Sequence, residues 1–572
     1  MPDQPARGRT PARRPAAPPE IIPPPGSELR FGPAGRPVTM RRTWLDTFDW
    51  RLYRAGLTLE QVTGAGVSEL RLTGRDGTLL ATAPLASSPA RPAAVRWPAR
   101  AGALPPGQLA EQLAPVAGVR ALLPVARAAS VLRERRVLNA DDKTVARLTA
   151  DQLTVTAARS PAGLASPPGR HSPGLPAAAG GAGPDPVLPE RAGPEPDLPG
   201  GATPSWPAAT LPVRLSVTAV RGYSAQAGRL GAQLLSLPGV QDGADPPLEA
   251  VLAAAGRRAG DYSGKVTVRL EPRAPAAAAM AAVYAALLDT LDANVPGTIA
   301  DIDTEFLHDL RIAVRRTRSA LKLTGRVLPQ GARARFRPEF KWLGDLTTPT
   351  RDLDVYLLGL PAMTAALAGA EPGDLEPFGE HLRHRRARAH RELARGLRSA
   401  RFARLRRDWR AALDDAAGHP GRKPAVARLA AGSISGVRAQ VLEAGAAITP
   451  DSPPTSLHDL RKHCKELRYL LEIFASLHDP DQHWRAVREL KDLQDCLGEF
   501  QDTDVQRGEI QAFAAAMLEQ HQAAAPTLLA MGEIAAGLAV RQRRARAQFA
   551  DLFARFASPA SQARITPLTR TG

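Results

Sequence analysis

The sequence predicts an α+β protein of several domains, an antiparallel β region followed by an all-α region. Two observations carry that reading. "SELRLTGRDGTLLATAPL" (Ser68–Leu85) alternates apolar and polar residues around Arg75-Asp76-Gly77, the signature of a hairpin. From about Pro275 to Phe556 the alternation vanishes, and Ala, Leu, Arg and Glu recur at helical spacing instead.

In chain order, residues 1–27 form a Pro- and Arg-rich tail expected to be disordered. Residues 28–158 open the β region. Besides the Ser68–Leu85 hairpin they hold "RERRVLNADDKTVARLTADQLTV" (Arg133–Val155), a second strand–turn–strand pattern. Residues 159–210 are so rich in Pro, Gly and Ala that no core can form there, and they read as a linker or insertion. Residues 211–272 complete the β region with a strand at Leu211–Val220 and a short helix at Ala225–Leu237. The helical domain spans 275–558, and 559–572 reads as a tail.

Composition limits the function classes. Among 572 residues, 75 Lys and Arg stand against 57 Asp and Glu, a formal charge of +18 that favours polyanions. The two cysteines, Cys464 and Cys496, belong to no ligand-spaced cluster and read as buried reduced thiols. No signal peptide and no uncharged apolar stretch of bilayer length is evident, so a soluble cytoplasmic protein is expected, without a membrane partner. Walker-type and Gly-rich phosphate loops are absent from the sequence, as is any nucleophile–base pair.

The helical domain is duplicated, with repeats at about 275–420 and 425–558. "LHDLRIAVRRTRSALKL" (Leu307–Leu323) shares its first five letters with "LHDLRKHCKELRYLLEI" (Leu457–Ile473), 150 residues later. "FKWLGDLTTPTRDLDV" (Phe340–Val355) aligns with "LKDLQDCLGEFQDTDV" (Leu490–Val505) at the same offset. On a helical wheel His308, Arg311, Arg315, Arg318 and Lys322 share a sector of ~80°, backed by apolar residues. His458, Arg461, Lys465 and Arg468 repeat the stripe, and Glu472 replaces Lys322, so the first stripe is expected to be the stronger. A solvated face normally mixes signs at i,i+4 to gain ion-pair energy; a like-signed stripe forgoes it and suits a polyanion. Further basic segments lie at His381–Arg407, with Arg385 and Arg388, and at Arg541–Phe549, with Arg544. Asp309, Asp345, Asp352 and Asp354 are read as partners that orient the arginines, and His308 and His458 as anion contacts rather than metal ligands.

The doubled His-Asp-Leu-Arg helix, each copy followed by Lys and then "RDLDV" or "QDTDV", resembles the CHAD domain family over roughly Pro275 to Phe556. That resemblance implies two pseudo-symmetric four-helix bundles with a basic groove between them, binding of inorganic polyphosphate, and association with polyphosphate granules. Carried over by position, the binding groups are His308, Arg311, Arg315, Arg318, Lys322 and Lys341, then His458, Arg461, Lys465, Arg468 and Lys491, with Arg385, Arg388 and Arg544 in support. "TWLDTFDWRLYRAGLTLE" (Thr43–Glu60) and Leu122–Leu148 are similar to the CYTH, or triphosphate-tunnel, domain, an antiparallel β-barrel. The Glu-x-Glu-x-Lys signature of that family, whose glutamates hold the catalytic metal, is missing. A tunnel could still hold anions through Arg71, Arg75, Arg127, Arg133, Arg135 or Lys143. The expectation is therefore a non-catalytic polyphosphate-binding protein without a cofactor or metal, with metal-dependent triphosphate hydrolysis and nonspecific nucleic-acid binding as alternatives. Specific nucleic-acid recognition is not expected, because only 5% of residues are aromatic.

Overall fold

The computed structural model describes residues 29–85, 96–157, 209–243, 246–419 and 424–570. The expected tail at 1–27 and nearly all of the 159–210 segment lie outside the described residues. Two compact units divide between Ser263 and Gly264.

The first unit is a curled antiparallel sheet, the architecture implied by the CYTH resemblance. Its strands are β1 (Arg30–Ala34), β2 (Val38–Thr47), β3 (Leu57–Gly64), β4 (Val67–Gly74), β5 (Leu79–Pro84), β6 (Ala99–Arg100), β7 (Ala121–Leu138), β8 (Thr144–Ala157) and β9 (Arg214–Ala219). The sheet order is β5-β4-β3-β2-β7-β8-β9, with β1 and β6 also paired to β7. The β4–β5 turn carries Gly77 at φ 80°, a conformation that only glycine adopts without strain. Four helices accompany the sheet: α1 (Arg51–Arg54), α2 (Gln108–Ala117), α3 (Ser224–Leu235) and α4 (Pro247–Ala254). Leu109 and Leu113 of α2 bury Leu59, Leu70 and Leu72, while Leu230 and Leu234 of α3 bury Val137, Ala146 and Leu148. Leu248, Val251 and Leu252 of α4 pack on the alternate residues, Trp44, Ala126, Ala128 and Leu153.

The second unit is helical. Its first repeat contains α5 (Ala276–Ile299), α6 (Thr304–Leu323), α7 (Ala332–Ala365), α8 (Glu376–Leu397) and α9 (Ala400–Gly418). The second contains α10 (Val426–Ala446), α11 (Pro454–Ile473), α12 (Pro480–Glu519) and α13 (Ala525–Ala557), closed by α14 (Pro559–Ile565). In each repeat four antiparallel layers pack in sequence, with α8 and α9 together supplying the fourth layer that α13 supplies alone. Helices α6 and α11 begin and end at an offset of 150 residues, as do the 3₁₀ turns Gly325–Val327 and Ala475–Leu477. The duplication also shows as an axis: Pro275 bridges its own counterpart Ala425, with Ala276 N donating to Pro424 O and Val426 N to Ala274 O, both at 2.9 Å. Two hydrophobic clusters join the repeats, a large one that includes Leu287, Leu310, Leu460 and Leu490 and a smaller one that includes Tyr356, Phe378, Phe513 and Met531.

Two expectations are corrected by packing. The domain boundary lies before Gly264, not near 272, because Val266, Val268 and Leu270 pack on the helical core and Leu270 N bonds Ser476 Oγ at 3.0 Å. Residues 559–570 are no tail: α14 and the turn after it bury Ile565 and Leu568 completely, and Gln562 accepts from Arg438 at 2.7 Å. Among the described residues one helix, α5, is long and apolar enough to cross a bilayer, at a mean hydropathy of 1.4. Its apolar length serves the core: Met280, Tyr284, Leu287 and Leu291 are buried, and Asp289 and Asp292 pair with Arg410 and Arg406.

Candidate functional site

Asp303 fixes the start of α6. Its carboxylate accepts from Glu305 N at 2.9 Å and Phe306 N at 3.3 Å, so the stripe begins at a defined helical phase. Leu307, Leu310, Val314, Thr317 and Leu321 are buried, and the opposite side carries the cations outward. In α11, Leu457, Leu460, Cys464, Leu467 and Leu471 do the same.

The two helices cross antiparallel, held by two ion pairs that the duplication exchanges. Arg316 reaches Glu472 at 2.7 Å, and Lys322 reaches Glu466 at 2.5 Å. Arg316 and Glu466 occupy equivalent positions, as do Lys322 and Glu472. Where the first repeat has two cations, the second has two anions, so the struts attract; identical repeats would have repelled. This corrects the expected ranking of the stripes. Lys322 is neutralised by Glu466, and Glu472 serves as a strut that also binds Arg468 at 2.9 Å, so neither residue makes one stripe stronger than the other.

Because the crossing is antiparallel, the stripes join end to end. Arg315 of α6 lies over the Tyr469 ring of α11, 5.5 Å from its centroid. Burial, then Arg461, Arg315 and Arg311, push the Lys465 ammonium down to about 8, against the opposing pull of Asp502. Burial, partly offset by Asp352, and then the neighbouring Arg315, Arg351 and Arg318 lower the pKa of Arg311. The line Arg311–Arg315–Lys465–Arg461 is thus one electrostatic unit contributed by both repeats.

The remaining expected residues differ in placement. His308 is half-buried and held toward its neutral form by burial and by Arg351. His458 instead hydrogen-bonds Gln501, Nδ1 to Oε1 at 2.7 Å. Arg318 lies against Gly344, where a Cβ would approach its Nη1 to 2.5 Å; at the equivalent position Gln494 bonds Arg468 at 3.3 Å. Lys341 and Lys491 pair within their own helices with Asp345 at 2.6 Å and Asp495 at 2.5 Å. Arg311 meets Asp352 at 3.8 Å, and at the equivalent positions Arg461 meets Asp502 at 2.9 Å. Arg385 lies over Phe513, Arg388 pairs with Glu392 on its own helix, and Arg544 is exposed on α13, so no contact brings these three to the α6–α11 line.

Arg351 was missed by sequence reasoning. Its Nη1 is buried without a hydrogen-bond partner, beside His308 and Arg311. The aligned motif shows Arg351 opposite Gln501, but only the packing of α7 on α6 reveals that it faces the stripe. Arg386 was also absent from the expected set; it binds Asp354 at 2.8 Å and Asp301 through its other nitrogens.

In the first unit, Arg42 holds Glu60 and Asp151, and Ser130 donates to Asp151 at 2.5 Å. Both carboxylates are therefore committed to a guanidinium. The cations expected to line a tunnel do not all share one face of the sheet: Arg71 shares a cross-strand row with Glu60 and Trp44 and pairs with Glu69, whereas Arg133 and Arg135 alternate with Ser130 and Leu132 on β7. Arg75 lies over Tyr53. Among the described residues no group of three or more His, Cys, Asp or Glu side chains is arranged to hold a metal ion.

Residues 282–511 match the family model of the CHAD domain. Among solved structures, the crystal structure of the CHAD domain from the plant Ricinus communis is 26% identical, with 51% of this chain and 96% of that chain aligned at a TM-score of 0.44. PptA from Streptomyces chartreusis is 18% identical over 49% of this chain and 99% of that chain, at a TM-score of 0.39. No curated protein matches the chain.

Proposed function

Because the helical unit carries a CHAD domain, a domain associated in general with polyphosphate, we propose that this protein binds inorganic polyphosphate without transforming it, along the line where α6 and α11 cross. The observation that carries this reading is the junction of the two stripes: Lys465 feels Arg461 from its own helix and Arg315 and Arg311 from the other. A linear polyanion laid there meets closely spaced donors from both repeats. Charge-assisted hydrogen bonds hold it, and released counterions contribute much of the free energy. Granule association follows if the polymer is presented on a granule surface.

A competition titration tests the reading. Long-chain polyphosphate is expected to bind with an affinity that falls steeply with added salt, and duplex DNA at equal phosphate concentration is expected not to displace it. Equal displacement by DNA would reduce the site to a nonspecific cationic surface.

The pH dependence has a defined sign. Lys465, held to about 8, is cationic at neutral pH and loses its charge as pH rises through that value, so affinity is expected to fall there. Below neutrality His308 gains charge, and affinity is expected to rise. Bound polyphosphate favours both protonated forms, so binding near pH 8 should take up protons, measurable by calorimetry in buffers of different ionisation enthalpy. Lys465→Arg should remove the alkaline fall while preserving neutral-pH affinity; persistence of the fall in that variant would show that another group titrates.

A further inference from the structure

Helix α8 presents a second cationic surface, apart from the stripes of α6 and α11. His384, Arg388, Arg391, Arg395 and Arg398 recur every three or four residues and are all exposed, while Leu382, Leu393, Ala394 and Leu397 bury the opposite side. The row extends roughly 21 Å at the helical rise. Several other surface arginines of this unit find carboxylates: Arg401 pairs with Glu339, Arg406 with Asp292, Arg541 with Glu499 and Arg555 with Asp492. Along this row, among the described residues, only Arg388 meets a carboxylate, Glu392 at 3.6 Å. Like charges at i,i+4 repel, so the row is unfavourable to the helix unless an anion covers it.

We propose that the outer face of α8 is a docking surface for a second segment of the polyphosphate chain already held at the α6–α11 crossing. This inference rests on the polyphosphate reading of that crossing. Helix α7 packs against both surfaces' helices: Arg386, on the inner side of α8, binds Asp354 of α7, and Asp352 of α7 reaches Arg311 of α6. A polymer anchored at the crossing presents its free length to α8 at high effective concentration, an advantage that an unanchored polyanion lacks. The exposed face of α8 carries no Phe, Tyr or Trp, so it offers no platform for stacked bases.

The test compares the full-length protein with R391Q/R395Q/R398Q and, separately, R311Q/R315Q/K465Q. Each is titrated with a polyphosphate oligomer only long enough to cover the crossing, with a chain several times longer, and with duplex DNA. The α8 variant is expected to bind the short oligomer as the parent does. It should bind the long chain about tenfold more weakly, with a salt slope smaller by roughly 2, the value for three lost phosphate contacts. Equal long-chain affinity and slope in parent and α8 variant would overturn the proposal. So would equal weakening for short and long chains, because that reports a general field rather than docking, and so would selective loss of DNA binding with polyphosphate binding intact. Failure of the parent to bind the short oligomer, or its unchanged binding by R311Q/R315Q/K465Q, would instead sink the reading of the crossing itself.

Discussion

Replacing Arg311, Arg315, Arg461 and Lys465 together by glutamine is expected to weaken polyphosphate binding by at least about two orders of magnitude, since each charge-assisted hydrogen bond contributes about 1.5–3 kcal/mol and the four act as a group. The fold should survive. The acidic partners, Asp352 and Asp502, are themselves partly or largely exposed, so neither is stranded by the loss of its arginine. Burial first, and then neighbouring cations, hold the pKa of Lys465 and Arg311 down, so the charges removed are unfavourable ones. The variant is therefore expected to keep its helical circular dichroism and to melt at or slightly above the parent temperature without ligand. That combination is the mark of a binding site maintained against the stability of its scaffold. A variant that retains affinity removes the line from the mechanism; one that loses helicity shows that these residues hold the bundle together.

Arg386→Met is expected to have the largest effect on stability, about 3–5 kcal/mol, because it breaks a buried ion pair from one side. Asp354 is 1% exposed, burial raises its pKa, and one of its oxygens already lacks a hydrogen-bond partner, so the arginine is its principal counter-charge. Asp301 loses its partner in the same step. Adding Asp354→Asn should recover most of the loss, since it removes the stranded charge. The sign with pH follows. A buried carboxylate without a counter-charge binds its proton more tightly in the folded than in the unfolded state, so the deficit of Arg386→Met should shrink as pH falls into the carboxylate range. Asp504, the counterpart of Asp354, provides the contrast. It is half-buried and served by Arg507 at 3.3 Å and Gln542 at 2.8 Å, so Asp504→Asn should cost less than about 1 kcal/mol. Urea denaturation of the three variants checks the set. Equal losses for Arg386→Met and Asp504→Asn would show that the two motifs share one structural role.

Much of the architecture is legible in local pattern. The hairpins at Ser68–Leu85 and Arg133–Val155 appear where alternation and turn residues place them, as do β9 and α3. The offset of 150 read between two pairs of motifs extends unbroken through α6, its 3₁₀ turn and their counterparts. These features depend on neighbours in sequence, which a one-dimensional reading contains. Where it fails, the cause is a partner far along the chain. Residues 559–570 look like a tail because α14 is short, yet Ile565 and Leu568 are buried in a core built by distant helices.

The binding line divides the same way. Periodicity alone identifies His308, Arg311, Arg315, Arg318 and their second copies as stripes, because a helical face is fixed by spacing. Whether a charge on such a face is available to a ligand depends on what packs opposite it. Lys322 belongs to the stripe by spacing and is tied to Glu466 by tertiary contact; Glu472 looks like a lost cation and is a strut to Arg316. Arg351 lies on another helix and enters the site only because α7 packs beside α6. The sequence by itself determined that two like-signed helical faces exist and that they are copies. The tertiary structure decided that they meet end to end across an antiparallel crossing, because the direction in which two helices pass is set by their packed faces and by the ion pairs Arg316–Glu472 and Lys322–Glu466, which no local pattern encodes.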